Sequence, residues 1–149
     1  MVSHLKWFVV LGLSFSLLVE ARPTFNKKTI HLKNKILTVE VAENDEQRSF
    51  GLMQKEKLNK NEGMLFIFDE EAPRSFWMKN TYLDLSIAFF DKNKVIVDIQ
   101  NMPASTMVQS EFPTYESAKP AKYALEMNKD WFKTNKIKIG DKFSFKKSQ

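Results

Sequence analysis

Cysteine is absent from all 149 residues. That excludes a disulfide scaffold, a thiolate metal site and a cysteine nucleophile. Internal repeats and low-complexity tracts are missing too. No serine stands in a nucleophile-elbow context. Only two histidines occur; His4 lies in the first, apolar segment, and His31 has no partner in sight, which reads as a surface residue. No His, Asp or Glu cluster has metal-ligand spacing. The triplet Asp69-Glu70-Glu71 is no exception, because three adjacent acids on an extended chain cannot all face one ion. Neither a metal nor a cofactor is expected. The one long apolar run, Trp7 to Val19, is shorter than the span of about 20 residues that a membrane helix needs.

That run follows Lys6 and ends at Val19-Glu20-Ala21. A basic start, an apolar core and a small-residue exit make a secretory signal peptide over residues 1–21, cleaved near Ala21. An uncleaved anchor is the alternative. With no cysteine after the run, a lipid-modified N-terminus is excluded. The expected product is periplasmic or secreted, with an N-terminal extension over 22–35 and a single β-rich domain over 36–146. Without disulfides it must hold by packing, and 13 Phe and 3 Trp supply the material. The leader carries one Lys and one Glu, so the net charge of +5 is unchanged by its loss. Basic residues gather toward the ends, at Lys27, Lys28, Lys33 and Lys35 and again from Lys129 to Lys147. They alternate with apolar residues, as on a solvated sheet face. Attraction to an anionic envelope surface is the functional counterpart. Nucleic acid is not an expected partner of an exported protein, and a monomer is the default.

Strand patterns dominate the rest. Ile36–Val41 is short and rich in branched residues. Asn44 and Gln47 have capping-box spacing and predict a helix over 45–54. Gly51 inside it costs about 1 kcal/mol against alanine, which suggests a close packing contact. Met64 to Phe68 is apolar at every position, as in a strand covered on both faces. Asp69–Pro73 reads as a polar turn. From Leu83 to Phe89 apolar residues alternate with Asp84, Ser86 and Ala88. Asp91–Lys94 reads as a hairpin turn, with a return strand over 95–99. Asn101 to Pro120 is long and irregular, with three prolines, and loops of this length are usually functional or disordered. Tyr123–Met127 alternates again, 130–134 fits one helical turn, and Gly140 permits a positive φ. Many short strands with little helix predict a mainly β fold, a compact β-sandwich or squashed barrel with one or two short helices.

Several motifs occur in a fixed order: Arg48…Gly51-Leu52-Met53, Gly63-Met64-Leu65-Phe66, Phe76-Trp77-Met78-Lys79-Asn80-Thr81 with Leu83-Asp84, and Tyr123-Ala124-Leu125-Glu126 ahead of Ile137…Gly140-Asp141. In this the chain resembles the domain-of-unknown-function 192 family of small bacterial and archaeal proteins, over about Ile36 to Phe145. The resemblance implies a mostly β domain, often exported, and no assigned activity. It leads one to expect a proline near position 83, where this chain has Tyr82-Leu83.

Polar groups set among these apolar motifs are the candidate site: Arg48, Lys79, Asn80, Asp84 and Glu126, with Trp77 beside them. Buried polar groups are costly unless paired. Three readings stay open. In a structural network, Arg48 pairs with Asp84 or Glu126 and Asn80 satisfies backbone at a strand end. In a binding module, Trp77 offers an aromatic face, Lys79, Asn80 and Glu126 offer hydrogen bonds, and the 101–120 loop forms a rim; such a site suits an envelope saccharide or an anionic fragment. In a hydrolase or lyase, Asp84 and Glu126 act as an acid/base pair, with Lys79 or Arg48 stabilising negative charge.

Overall fold

The computed structural model describes residues 21–105 and 112–146. The expected signal peptide, but for Ala21, and the middle of the 101–120 loop lie outside the described residues. The chain order is β1 (Asn26–Leu32), β2 (Lys35–Ala42), α1 (Asp45–Phe50), β3 (Glu62–Ala72), β4 (Ser75–Trp77), β5 (Leu85–Phe90), β6 (Ile96–Met102), β7 (Thr114–Glu116), β8 (Ala121–Asn128), α2 (Trp131–Thr134) and β9 (Phe143–Phe145). The protein is mainly β, as its alternating patterns predict.

Seven strands form one sheet in the order β6-β5-β8-β3-β2-β1-β9, and β4 pairs with β7 apart from it. All of its pairs are antiparallel except β2 with β3. A parallel pair needs a crossover connection. Here α1 and the segment after it make that crossover, which lays the helix over one face of the sheet.

The sheet curls. Phe143 of β9 packs edge-on against Phe90 of β5 at 5.0 Å and Tyr123 of β8 at 5.3 Å between ring centroids. Those strands lie near the other end of the strand order, so their side chains meet only if the sheet bends toward closure. Backbone hydrogen bonds stitch the two ends: Ile96 N to Asp141 O (2.9 Å), Gly140 N to Ile96 O (2.9 Å) and Phe143 N to Lys94 O (3.1 Å). The concave side holds one apolar core, including Leu37, Leu65, Phe90, Leu125, Trp131 and Phe132. A second core, with Met64, Phe66, Met78, Ile87, Phe89 and Ala124, lies on the convex side beneath the crossover. With both faces covered, all six residues of β5 are buried.

Some local expectations are corrected. Residues 26–32, inside the stretch read as an N-terminal extension, form β1, held between β2 and β9. Asp69 to Ala72 continues β3 instead of turning, with an irregularity in the pairing between Ile67 and Ala72. The helix stops at Phe50 because Gly51 takes φ 53°, a conformation glycine adopts freely. A Cβ at Gly51 would meet only ordinary contacts, whereas one at Gly63 would lie 2.2 Å from Glu126 O and 2.5 Å from Met127 Sδ. The close approach is therefore at Gly63, where β3 packs against β8.

Candidate functional site

The site begins with α1. Asn44 caps it, its side chain accepting from Gln47 N at 2.9 Å, while Gln47 Oε1 accepts from Glu43 N at 3.0 Å. This fixes the first turn and points Arg48 at the neighbouring strand. The Arg48 guanidinium donates to Glu43 O (2.9 Å), Ile67 O (2.8 Å) and Asp45 Oδ1 (2.7 Å), and lies over the Phe68 ring. It pins the helix to β3 at the irregular stretch. The expected pairing of Arg48 with Asp84 or Glu126 does not form, because backbone carbonyls and Asp45 already take its donors.

Opposite α1 runs β4. Trp77 at its end is 48% exposed, and the Lys79 ammonium sits 5.2 Å from its ring centroid. Asn80 has φ 50°, which turns the chain so that its carbonyl accepts from Gln54 N at 2.9 Å. Thr81 is buried and its hydroxyl donates to Lys79 O at 3.1 Å. Helix and strand thus form two walls of a groove with an aromatic side chain on its rim.

Glu126 lies at the floor. The registers place Glu40, Met64, Glu126 and Ile87 in one row across β2, β3, β8 and β5. Glu40 is paired there by Arg22 (2.7 Å) and Lys55 (3.0 Å). Burial pushes Glu40 up, but the hydrogen bonds from these two cations outweigh it and hold the carboxyl below its ordinary value. Glu126 has no such help among the described residues. It is 4% exposed, and burial alone raises its carboxyl from 4.5 to about 8. At neutral pH it is a neutral acid, able to donate one hydrogen bond and accept others.

Above Glu126 is a narrow cleft of about 20 Å³ lined by Arg48, Ser49, Gly51, Phe66, Phe76, Trp77 and Thr81 among others. That is room for about one water molecule. Wider depressions adjoin it along α1. One of about 380 Å³ is bordered by Ser49, Met53, Trp77, Lys79 and Asn80. The next, about 320 Å³, has Arg48, Ser49, Phe68, Ser75, Phe76 and Trp77. The third, about 540 Å³, has Asp45, Arg48, Phe68, Asp69, Glu70 and Arg74.

The structure therefore gathers Arg48, Trp77, Lys79, Asn80 and Glu126 around one groove. Asp84 is not part of its lining. It accepts from Ala104 N at 2.7 Å and Lys129 Nζ at 3.3 Å, and the first of these bonds, then the second, lowers its pKa. Sequence reasoning did not pick out Asp45, Ser49, Phe68, Phe76 and Arg74 as groove residues. Ser49 and Asp45 carried a usable signal, since they neighbour Arg48 on the capped helix. Arg74 carried none: its place, 3.9 Å over the Phe68 ring and bonded to Ala121 O, depends on distant strands.

The fold and groove define a small, curled, mainly β domain with a polar-lined cleft over a buried acid. The chain matches the DUF192 family, described as "Uncharacterized ACR", over residues 27–145, and it belongs to that family. No curated relative matches it. Two solved structures are similar. One, from Sinorhizobium meliloti 1021, is described as a "putative transcription regulator"; it is 31% identical, with a TM-score of 0.75 over 84% of this chain and 98% of that one. The other, a protein of unknown function from Novosphingobium aromaticivorans DSM 12444, is 26% identical, with a TM-score of 0.67 over 80% of this chain and 84% of that one.

Proposed function

We propose that the protein is an exported ligand-binding module of the cell envelope and that the groove between α1 and β4 takes a saccharide. The observation that carries this reading is the buried Glu126 carboxyl, without a hydrogen-bond partner among the described residues, beneath an exposed tryptophan. Its oxygens are not sealed off, since Ser105 Oγ is the one fully buried side-chain atom without a partner among the described residues, and a ligand hydroxyl entering the cleft would bond them in place of water. Trp77 supplies a flat apolar surface for a sugar ring. The groove mixes Asp45, Glu46, Asp69 and Glu70 with Arg48, Arg74 and Lys79. That balance favours a neutral polyol over a strongly anionic fragment. The signal-like sequence over residues 1–21 supports an envelope location.

A thermal-shift screen of the purified protein against cell-wall sugars and lipid headgroups tests the proposal. A saccharide is expected to raise Tm. Trp77→Ala should abolish that rise while leaving the ligand-free Tm within about 2 °C, because a half-exposed side chain contributes little to folding. A shift with anionic headgroups alone would move the function to the basic surface. A saccharide response retained in Trp77→Ala would refute the groove as the site.

A further inference from the structure

The groove is longer than one sugar ring requires. Each of its three depressions, at about 380, 320 and 540 Å³, lies by itself within the range of about 300–1,000 Å³ usual for a small-molecule pocket. They are continuous. Ser49 and Trp77 border the first and second, Arg48 and Phe68 border the second and third, and Asp45 borders all three. The cleft over Glu126 shares Ser49 and Trp77 with both of the first two, so it opens beneath their junction. We propose that the groove is a row of three subsites for a linear saccharide, running from the Lys79 end to the Arg74 end, with Glu126 under the link between the first two units.

This proposal rests on the saccharide reading and adds to it the length and direction of the ligand. The row has distinct chemistry along its course. Lys79 and Asn80 offer polar contacts at one end. Phe76 and Phe68 give the middle an apolar wall. Arg74, Asp69 and Glu70 make the far end charged. A linear polymer meets all three in turn, whereas a single ring meets one. The acid lies below the first junction at the bottom of a cleft with room for about one water molecule, so it meets the saccharide through a hydroxyl that enters the cleft or through a water held there.

Calorimetric titration with β-1,4-linked N-acetylglucosamine oligomers of one to six units tests the row. Affinity should rise at least about tenfold from one unit to three, about 1.4 kcal/mol, and then level off. A monomer that binds as tightly as the hexamer would overturn the row and leave the saccharide reading standing. No binding at any length, in this series or in a β-1,4-linked glucose series, would overturn the reading beneath it. The double variant Asp69→Ala/Glu70→Ala strips both carboxylates from the wall of the third depression. It should reduce the trimer to the affinity of the dimer and leave the dimer unchanged. Equal weakening at every length, or none at any, would refute the assigned order.

Discussion

Replacing Glu126 by glutamine should flatten the pH dependence of stability in a defined window. The folded carboxyl titrates near 8 against 4.5 when unfolded. Below pH 4.5 both states hold the proton, and the group contributes no pH dependence. Between pH 4.5 and 8 the unfolded chain has released a proton that the folded chain keeps. Stability therefore falls as pH rises, by about 1.36 kcal/mol per pH unit. Above pH 8 the loss is complete, and it sums to about 5 kcal/mol across the window. Domains of this size have about 5–15 kcal/mol in total, so the effect is large. Urea unfolding at unit steps from pH 5 to 9, for the wild type and Glu126→Gln, measures it. The amide adds a constant offset of about 1–3 kcal/mol for its own unmet hydrogen bonds, which moves the variant's curve without changing its slope. The stability difference, variant minus wild type, should grow by several kcal/mol from pH 5 to 8. A difference that stays constant over that range would refute the claim that Glu126 is held protonated by burial.

Two further outcomes follow from the strands around Glu126. Gly63→Ala should destabilise the protein by about 1–3 kcal/mol, read as a lower urea midpoint at unchanged m, because its methyl group would collide with Glu126 O and Met127 Sδ; a neutral result would disprove the tight β3–β8 approach. Glu40→Gln should behave oppositely to Glu126→Gln. Glu40 is held below its ordinary value of 4.5 by Arg22 and Lys55, so its contribution is present above pH 4.5 and vanishes in more acid solution. Unfolding curves from pH 6 downward should show the variant's deficit shrinking as the solution becomes more acid, and a deficit that stays the same throughout would rule out the ion pairs as its cause.

How much of this could be read in advance depended on range. Leu83 to Phe89 and Tyr123 to Met127 declare their strands by alternation, a property of neighbouring residues. Asn44 and Gln47 announce the helix start by spacing alone. The parallel pairing of β2 with β3 is set by the crossover and has no local signature. The strand β7 sits in a stretch that reads as irregular, since Thr114–Glu116 is extended by its pairing with β4 some forty residues earlier. Alternation put Glu126 on the less apolar side of its strand. That side turns out to be buried, because the crossover and β4 supply a second apolar layer that no window of sequence around Glu126 contains. The same distance effect misled the reading of Arg48, two of whose three partners, Glu43 O and Ile67 O, are backbone groups invisible to a search for opposite charges.

The neighbouring placement of β1 and β9 has a mechanical consequence. Register matches Ile30 to Phe145, and Lys146 N reaches Thr29 O at 3.0 Å, so the two ends of the domain leave the sheet on the same side. A force applied between them opens this seam one bond at a time, like a zip, instead of shearing a whole strand. The fold should thus yield to a pulling machine at low load even where its resistance to urea is high.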